Sequence, residues 1–252
     1  MRPEITILIA TANAENFISR TMESVLSQSF VNFEVVVVMN CVSDQTATIL
    51  KKFDDTRVRL YETNICQLAF NLNYGLMMSR GDYIARIDSD DMATYDRLQI
   101  QLNAIKNNNF DVVGSNLKYI DENDKAIGRK SYPENNYKIR KKILYSNPIS
   151  HPSVMYKKNT ILGVGGYMNG LVSEDYDLWI RLMRDKNVKF HNIQKELTSY
   201  RIHKAQSMGN RLSYAEVAGY FIREAIYQKS IVFFFYFLVS IFKAIFKSKK
   251  AG

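Results

Sequence analysis

The chain has 252 residues, 46% of them apolar, enough to bury a core of its own, and that length accommodates either one large domain with a tail or two domains. Its 34 basic and 25 acidic residues leave a formal charge of +9, which suits a phosphorylated ligand or an anionic membrane surface. No zinc knuckle, recognition helix or aromatic RNA-binding strand accompanies the charge, so nucleic acid is excluded as a partner.

The first residues run straight into an apolar, β-branched stretch, Ile5 to Ala10, without the charged and apolar regions of a secretory signal. Such a run reads as a buried parallel strand. Ile18, Met22, Val25 and Leu26 then recur at helical spacing over residues 16–28, and Phe33 to Val38 is a second buried strand. Ser43 or Asp44 can cap a helix carrying Ile49, Leu50 and Phe53; Val58 to Tyr61 is a third strand; and Leu68, Leu72, Leu76 and Met77 share a helix face that Gly81 ends. Strands alternating with helices in this way predict crossover units and a parallel sheet, an α/β fold. Cys41 and Cys66 have no metal-type spacing and read as free thiols of a reduced, cytosolic protein.

The strand over residues 83–87 ends in Asp88, Asp90 and Asp91, separated by one small residue, Ser89. Like charges this close repel by several kcal/mol unless a hard divalent cation, Mg²⁺ or Mn²⁺, sits among them. Open α/β sheets bind ligands at the carboxyl ends of their strands, so a metal-diphosphate site is expected here; a solvated acidic helix cap is the alternative. Further on, Leu98, Leu102 and Ile105 mark a helix, residues 111–115 a strand, and residues 119–127 a hairpin. The periodicity turns irregular from Tyr132, where Pro148 and Pro152 forbid helix. Glu174, Asp175 and Asp177 occupy the first turn of a helix with Leu178, Leu182 and Met183 inward, and residues 196–202 make a last strand.

The tail is different. Residues 230–242 are apolar all round, flanked by Lys229 and Lys243, with Lys247, Lys249 and Lys250 beyond. As a helix they reach about 20 Å, short of the roughly 30 Å hydrocarbon core. A helix lying in the interface of an anionic membrane is expected, with burial in the domain or in a homodimer contact as the alternative.

The order of these parts is that of a known family. The two buried strands, Asn73-Tyr74-Gly75, residues 81–86, Asp88-Ser89-Asp90-Asp91, Asp96-Arg97-Leu98, residues 151–155, Gly165-Gly166-Tyr167, residues 174–179 and Tyr200-Arg201-Ile202-His203 together resemble the family 2 glycosyltransferases. The resemblance covers residues 5–207. It implies a GT-A fold, a Rossmann-like sheet flanked by helices, with a nucleotide-binding half (1–116), an acceptor-binding half (117–207) and a C-terminal helical tail (208–252). Many members of the family build bacterial O-antigen or capsule polysaccharide. By this resemblance Asp88 and Asp90 are the Asp-X-Asp pair of a divalent metal site that His203 can complete. Asp175 is the general base and Glu174 orients base or acceptor. Thr11, Asn13, Asn40, Asp44, Asn73, Asp88 and Ser89 hold the nucleotide, and Arg201 reaches its diphosphate. His151, Glu174 and Trp179 stand on the acceptor side, Trp179 being equally readable as core.

Ala12, Asn40 and Leu72 depart from the family's usual nucleoside-site residues, and uracil is expected because an Asn amide can pair with its imide edge. The implied reaction is an inverting transfer from a UDP-sugar to a saccharide acceptor, expected to be lipid-linked, by an enzyme peripheral on the cytoplasmic face of the inner membrane. A phosphatase would need an Asp nucleophile after the first strand, and a dinucleotide or P-loop enzyme a glycine fingerprint; residues 9–13 offer neither. A membrane-docked protein that binds nucleotide sugars without transferring them is the other reading.

Overall fold

The computed structural model describes residues 2–168, 170–203 and 211–246. The expected alternation opens the chain: β1 (Ile5–Thr11), α1 (Ile18–Leu26), β2 (Phe33–Asn40), α2 (Thr46–Leu50), β3 (Val58–Thr63), α3 (Leu68–Met78) and β4 (Tyr83–Arg86). After the acidic turn come β5 (Met92–Ala93), α4 (Arg97–Asn108) and the long β6 (Val112–Ile120), which folds back as a hairpin onto β7 (Ala126–Lys130). The irregular region holds α5 (Asn136–Lys142), a 3-10 turn at His151–Ser153, β8 (Met155–Lys157) and α6 (Lys158–Gly163). Then follow α7 (Glu174–Leu182), β9 (Phe190–Arg201), α8 (Arg211–Tyr227) and α9 (Ile231–Phe246).

Among the described residues nine strands form one sheet in the order β3-β2-β1-β4-β8-β6-β9-β5, with β7 paired to β6. β1 to β4 are parallel, Ile5 lying between Phe33 and Tyr83, and β6 runs parallel to β9. β8 is antiparallel to both its neighbours, β4 and β6, and is what joins the two parallel sets.

Alternation along the strands explains the layers. Ile5, Ile7 and Ile9 of β1 face a core shared with Ile18 and Met22 of α1 and Leu98 and Leu102 of α4. Leu8, between them, faces the opposite core with Leu72 and Leu76 of α3 and Leu178 and Trp179 of α7. Each fully buried aliphatic side chain contributes about 1.5–3 kcal/mol. Met77, expected on the inner face of α3, is 72% exposed, because it falls one residue past the stripe that Leu72 and Leu76 define. His191 stacks on Phe110 with ring centroids 4.7 Å apart, a packing role.

The expectation of free thiols is corrected: the sulfurs of Cys41 and Cys66 are bonded, tying the loop after β2 to the segment before α3. Cys41 takes a positive φ of 50°. The tail begins as an integral layer. Glu224 of α8, buried, accepts Arg184 at 2.6 Å, and Arg223 reaches Asp177 of α7 at 2.5 Å. Phe233, Tyr236 and Phe237 of α9 pack on the core beside Phe221. The opposite face of α9 is bare: Phe235 is 57% exposed and Phe242 62%. No helix among the described residues is long and apolar enough to cross a membrane. Lys247, Lys249 and Lys250, and the boundary expected at 207/208, lie outside the described residues.

Candidate active site

Residues two apart on a strand point the same way, so Arg86 at the end of β4 aims where Asp88 does. The two form an ion pair, with Arg86 almost fully buried and its Nε and Nη1 without partners among the described residues. The chain then turns: the Asp91 amide donates to the Asp88 carbonyl at 3.3 Å, and Thr21 Oγ1 donates to the Ser89 carbonyl at 2.9 Å. This turn brings the carboxylates of Asp88, Asp90 and Asp91 together, with one oxygen from each within 4.8 Å of the others.

Asp91 lies at the bottom of this cluster. Its Oδ1 accepts the Arg201 amide at 2.9 Å, whereas its buried Oδ2 has no partner. Burial, then the neighbouring charges of Asp88 and Asp90, push its carboxyl well above the usual range. Asp88 is also pushed up, by burial first, with Arg86 opposing. An orphaned buried carboxylate oxygen facing two further acids fits a hard, oxygen-seeking divalent cation, which would let all three ionise. His203 Nε2 lies 2.9 Å from Asp90 Oδ2, at the rim of the same cluster.

The second group of acids is set by α7. Gly170, at φ +136°, lets the preceding loop close on the helix start, where an added Cβ would come within 2.9 Å of the Glu174 amide. Glu174, Asp175 and Asp177 fill the first turn, which the helix dipole favours. Asp175 Oδ2 accepts Asn147 Nδ2 at 2.6 Å, and its Oδ1 accepts the Tyr176 amide at 2.7 Å. Burial and the adjacent Glu174 charge raise its pKa to about 7, against the pull of Asn147.

Glu174 is held by His151, whose Nδ1 lies 3.4 Å from Oε1 while Nε2 lies 2.9 Å from Tyr167 Oη. Burial and the charge of Arg86 lower the His151 pKa, so the ring is neutral. The Tyr167 phenol, raised by burial, keeps its proton. The imidazole therefore accepts from Tyr167 and donates to Glu174. Burial is the largest single influence and works to raise Glu174, but the His151 contact, a backbone hydrogen bond and the charge of Arg86 together outweigh it and leave the carboxyl below its usual value. Two adjacent acids are thus driven apart, one ionised and one poised near neutrality.

A single cavity of about 580 Å³ joins both groups. Asn13, Asp88, Ser89, Asp90, His151, Glu174, Asp175 and His203 all line it. Asn13 is oriented by Ser43, its Oδ1 accepting the Ser43 amide at 2.9 Å.

Other expected site residues lie off this wall. Asn73 spends both ends of its amide on the Tyr167 backbone, at 2.6 and 2.8 Å, closing the Gly165-Gly166 turn, so it is a brace and not a nucleotide contact. Arg201 is buried, donating to the carbonyls of Asp90 at 2.8 Å and Asp121 at 2.7 Å and pairing with Asp124; it ties loops beneath the site and does not reach a diphosphate. Trp179 is fully buried, edge-on to His151, and is core, not a sugar platform. Asp44 accepts the amides of Thr46 at 2.9 Å and Glu15 at 3.1 Å, fixing the loops that carry Asn13. Thr11, buried with an unpartnered hydroxyl, and Asn40 at the end of β2 also stand outside the cavity lining.

Sequence reasoning missed Arg86, Asn147, Lys130, Tyr132 and Tyr200 on this wall. For Arg86 a signal existed, a cation two residues before the acid on an otherwise apolar strand. The others come from loops and strands whose meeting is tertiary.

Known proteins resemble this chain in sequence and in fold. The chain is 34% identical over 249 residues to the O-antigen biosynthesis glycosyltransferase WbnJ of Escherichia coli, covering 96% of this chain and 97% of that one. It is 30% identical over 210 residues, 82% of this chain and 80% of that one, to WfaP of Escherichia coli, a UDP-Glc:alpha-D-GlcNAc-diphosphoundecaprenol beta-1,3-glucosyltransferase. Its fold matches the crystal structure of S. aureus TarS 1-349 in complex with UDP-GlcNAc with a TM-score of 0.73 at 18% identity, over 88% of this chain and 66% of that one. Residues 6–159 match the family described as Glycosyl transferase family 2, and the chain accordingly belongs to that family of GT-A glycosyltransferases.

Proposed function

We propose that this glycosyltransferase moves a hexosyl group from a UDP-sugar, with inversion at the anomeric carbon, to a hydroxyl of a lipid-linked saccharide in surface polysaccharide assembly. The observation that carries this reading is the shared cavity: the acids of the β4 turn and the acid of α7 open onto the same space. The relatives' names supply the donor and acceptor classes, a UDP-sugar and a diphosphoundecaprenol-linked sugar.

Asp88 and Asp90, with Asp91 behind them and His203 at the rim, would hold Mn²⁺ or Mg²⁺. Such an ion supplies Lewis-acid stabilisation of a departing diphosphate. Asn13 and Ser89 line the donor end, and Arg86 beneath Asp88 adds a buried positive charge there. At the other end Asp175 accepts the proton of the incoming hydroxyl at Oδ2 or Oδ1, with Asn147 and the Tyr176 amide fixing the carboxylate's direction. A base with a pKa near 7 is half ionised at neutral pH and still basic enough to act. Glu174, kept ionised by His151, maintains that pKa and hydrogen-bonds the acceptor. Displacement by a hydroxyl entering opposite the leaving group inverts the anomeric centre.

The bare face of α9 supports attachment to the surface of an anionic membrane, and a UDP-sugar donor supports the cytoplasmic side. The test is incubation of the purified chain with UDP-sugars, Mn²⁺ and a synthetic GlcNAc-diphosphate-alkyl acceptor, the product's anomeric configuration being read by NMR. Retention of configuration removes the single-displacement mechanism, and no transfer from any UDP-sugar removes the donor assignment.

A further inference from the structure

A second cavity, of about 310 Å³, lies between α7, α8 and α9, and shares Asn147, Val172 and Asp175 with the first. Leu144, Val217, Phe221 and Val239 give it an apolar side, Ser146 and Ser173 a polar one, and Lys243 stands at its α9 end. Its walls are fixed. Glu216 of α8 accepts the amides of Leu171 at 2.6 Å and Val172 at 3.3 Å, and the Arg223–Asp177 pair locks α8 to the helix that carries Asp175. On either side of Lys243 in the chain α9 carries exposed apolar side chains, Phe242 being 62% and Ile245 58% exposed.

The cavity therefore brings three kinds of surface together: the Asp175 carboxylate, a sugar-sized space with mixed polar and apolar walls, and the Lys243 cation on a helix that also carries exposed apolar side chains. A volume near the lower limit of ligand sites, about 300–1,000 Å³, has room for one sugar unit. The partner that matches this set is an amphiphile: a sugar, an anionic phosphate linker and an apolar chain. We propose that this second cavity is the acceptor subsite, holding the terminal sugar of a phosphate-linked glycolipid with its hydroxyl at Asp175, its phosphate at Lys243 and its chain along α9. This inference rests on the transfer reading above. It adds that α8 and α9 are part of the acceptor site, so the tail selects the substrate and does not serve only as an anchor.

The test uses the full chain and a photoreactive GlcNAc-diphosphate-alkyl probe, with its phosphate-free alkyl counterpart as control. Mass spectrometry should place crosslinks on peptides spanning 144–147 and 213–243. Lys243→Glu should cut labelling by the diphosphate probe about tenfold, leave labelling by the phosphate-free probe unchanged, and be rescued by Lys243→Arg. Ser240→Trp, which fills the cavity, should abolish labelling by both probes. UDP-sugar affinity with Mn²⁺, measured by calorimetry, should stay within about twofold of wild type in all variants. Loss of UDP-sugar binding by the wild type would strike at the function itself, whereas retained donor binding with labelling elsewhere, no labelling, or equal labelling of wild type and Lys243→Glu would overturn the subsite alone.

Discussion

Replacing Asp175 by Asn separates a catalytic carboxylate from a helix-capping one. The carboxyl titrates near 7 in the fold and near 3.8 in the unfolded chain. Between those values the folded state holds a proton that the unfolded state has lost, so stability falls as pH rises through this window and levels off above it. At 1.36 kcal/mol per pH unit the whole window is worth at most about 4 kcal/mol. Solvent reaching the partly exposed carboxylate, and the fraction of the window already crossed at pH 5, reduce the change between pH 5 and pH 8 to about 1–2 kcal/mol. Asn cannot ionise and escapes this penalty. The melting temperature of Asp175→Asn relative to wild type should therefore rise by about 3–6 °C between pH 5 and pH 8 for a chain of this length. Calorimetry in EDTA checks it, since the metal-site acids then titrate alike in both proteins. In the transfer assay, wild-type kcat/KM should climb through about pH 7 and flatten above. The variant should lose about 10²- to 10⁴-fold in kcat and lack that limb, while UDP-sugar affinity persists. Turnover close to wild type would remove Asp175 as the base, and a melting difference that ignores pH would show that its carboxyl is not raised.

The remaining predictions concern the metal cluster, the buried arginine and the tail. Asp90→Ala should abolish the Mn²⁺-dependent part of UDP binding in calorimetry; an unchanged affinity with Mn²⁺ would move the metal elsewhere. Arg201→Met should lower stability by about 2–4 kcal/mol, because it strands the Asp90 and Asp121 carbonyls and leaves Asp124 with Arg20 alone, and the loss should appear in urea unfolding without ligand. A diphosphate ligand on the surface would instead cost affinity and leave the unfolding curve alone. Phe235→Glu with Phe242→Glu, both on the bare side of α9, should release the protein from anionic liposomes in a co-sedimentation assay while the melting temperature holds; continued sedimentation would assign that face to contact with another protein, such as a second copy.

What could be read from residue order is what depends on short-range pattern. The β-branched runs of β1 and β2 announce buried parallel strands because alternate side chains on both faces are apolar. The acids after β4 and in the first turn of α7 were visible as clusters, and their neighbours in sequence are also their neighbours in the site. β8 escaped notice because three residues after a proline-constrained turn carry no period that could mark a strand. Cys41 and Cys66 are 25 residues apart, and only the parallel pairing of β2 with β3, which sets Asn40 beside Thr63, brings their sulfurs together. Arg201 stands in the expected stretch of chain, yet the carbonyls of Asp90 and Asp121 capture its guanidinium before it can reach the cavity. Asn73 likewise sits in a recognisable motif and is consumed by the Tyr167 backbone. A motif locates a residue along the chain; which of its atoms remain available is decided by partners distant in sequence.

The antiparallel splice made by β8 has a consequence for how the enzyme can work and vary. Because that short strand bonds to both β4 and β6, the parallel set that ends in the acidic turn and the set made by β6 and β9 belong to one continuous plate, with no hinge through its middle. Gating during turnover is thereby left to the loops along the plate's edge. Under the proposed reading, substitutions among α8 and α9, none of whose residues lines the cavity of Asp88 and Asp90, can retune which alcohol is admitted while the grip on the nucleotide stays as it is.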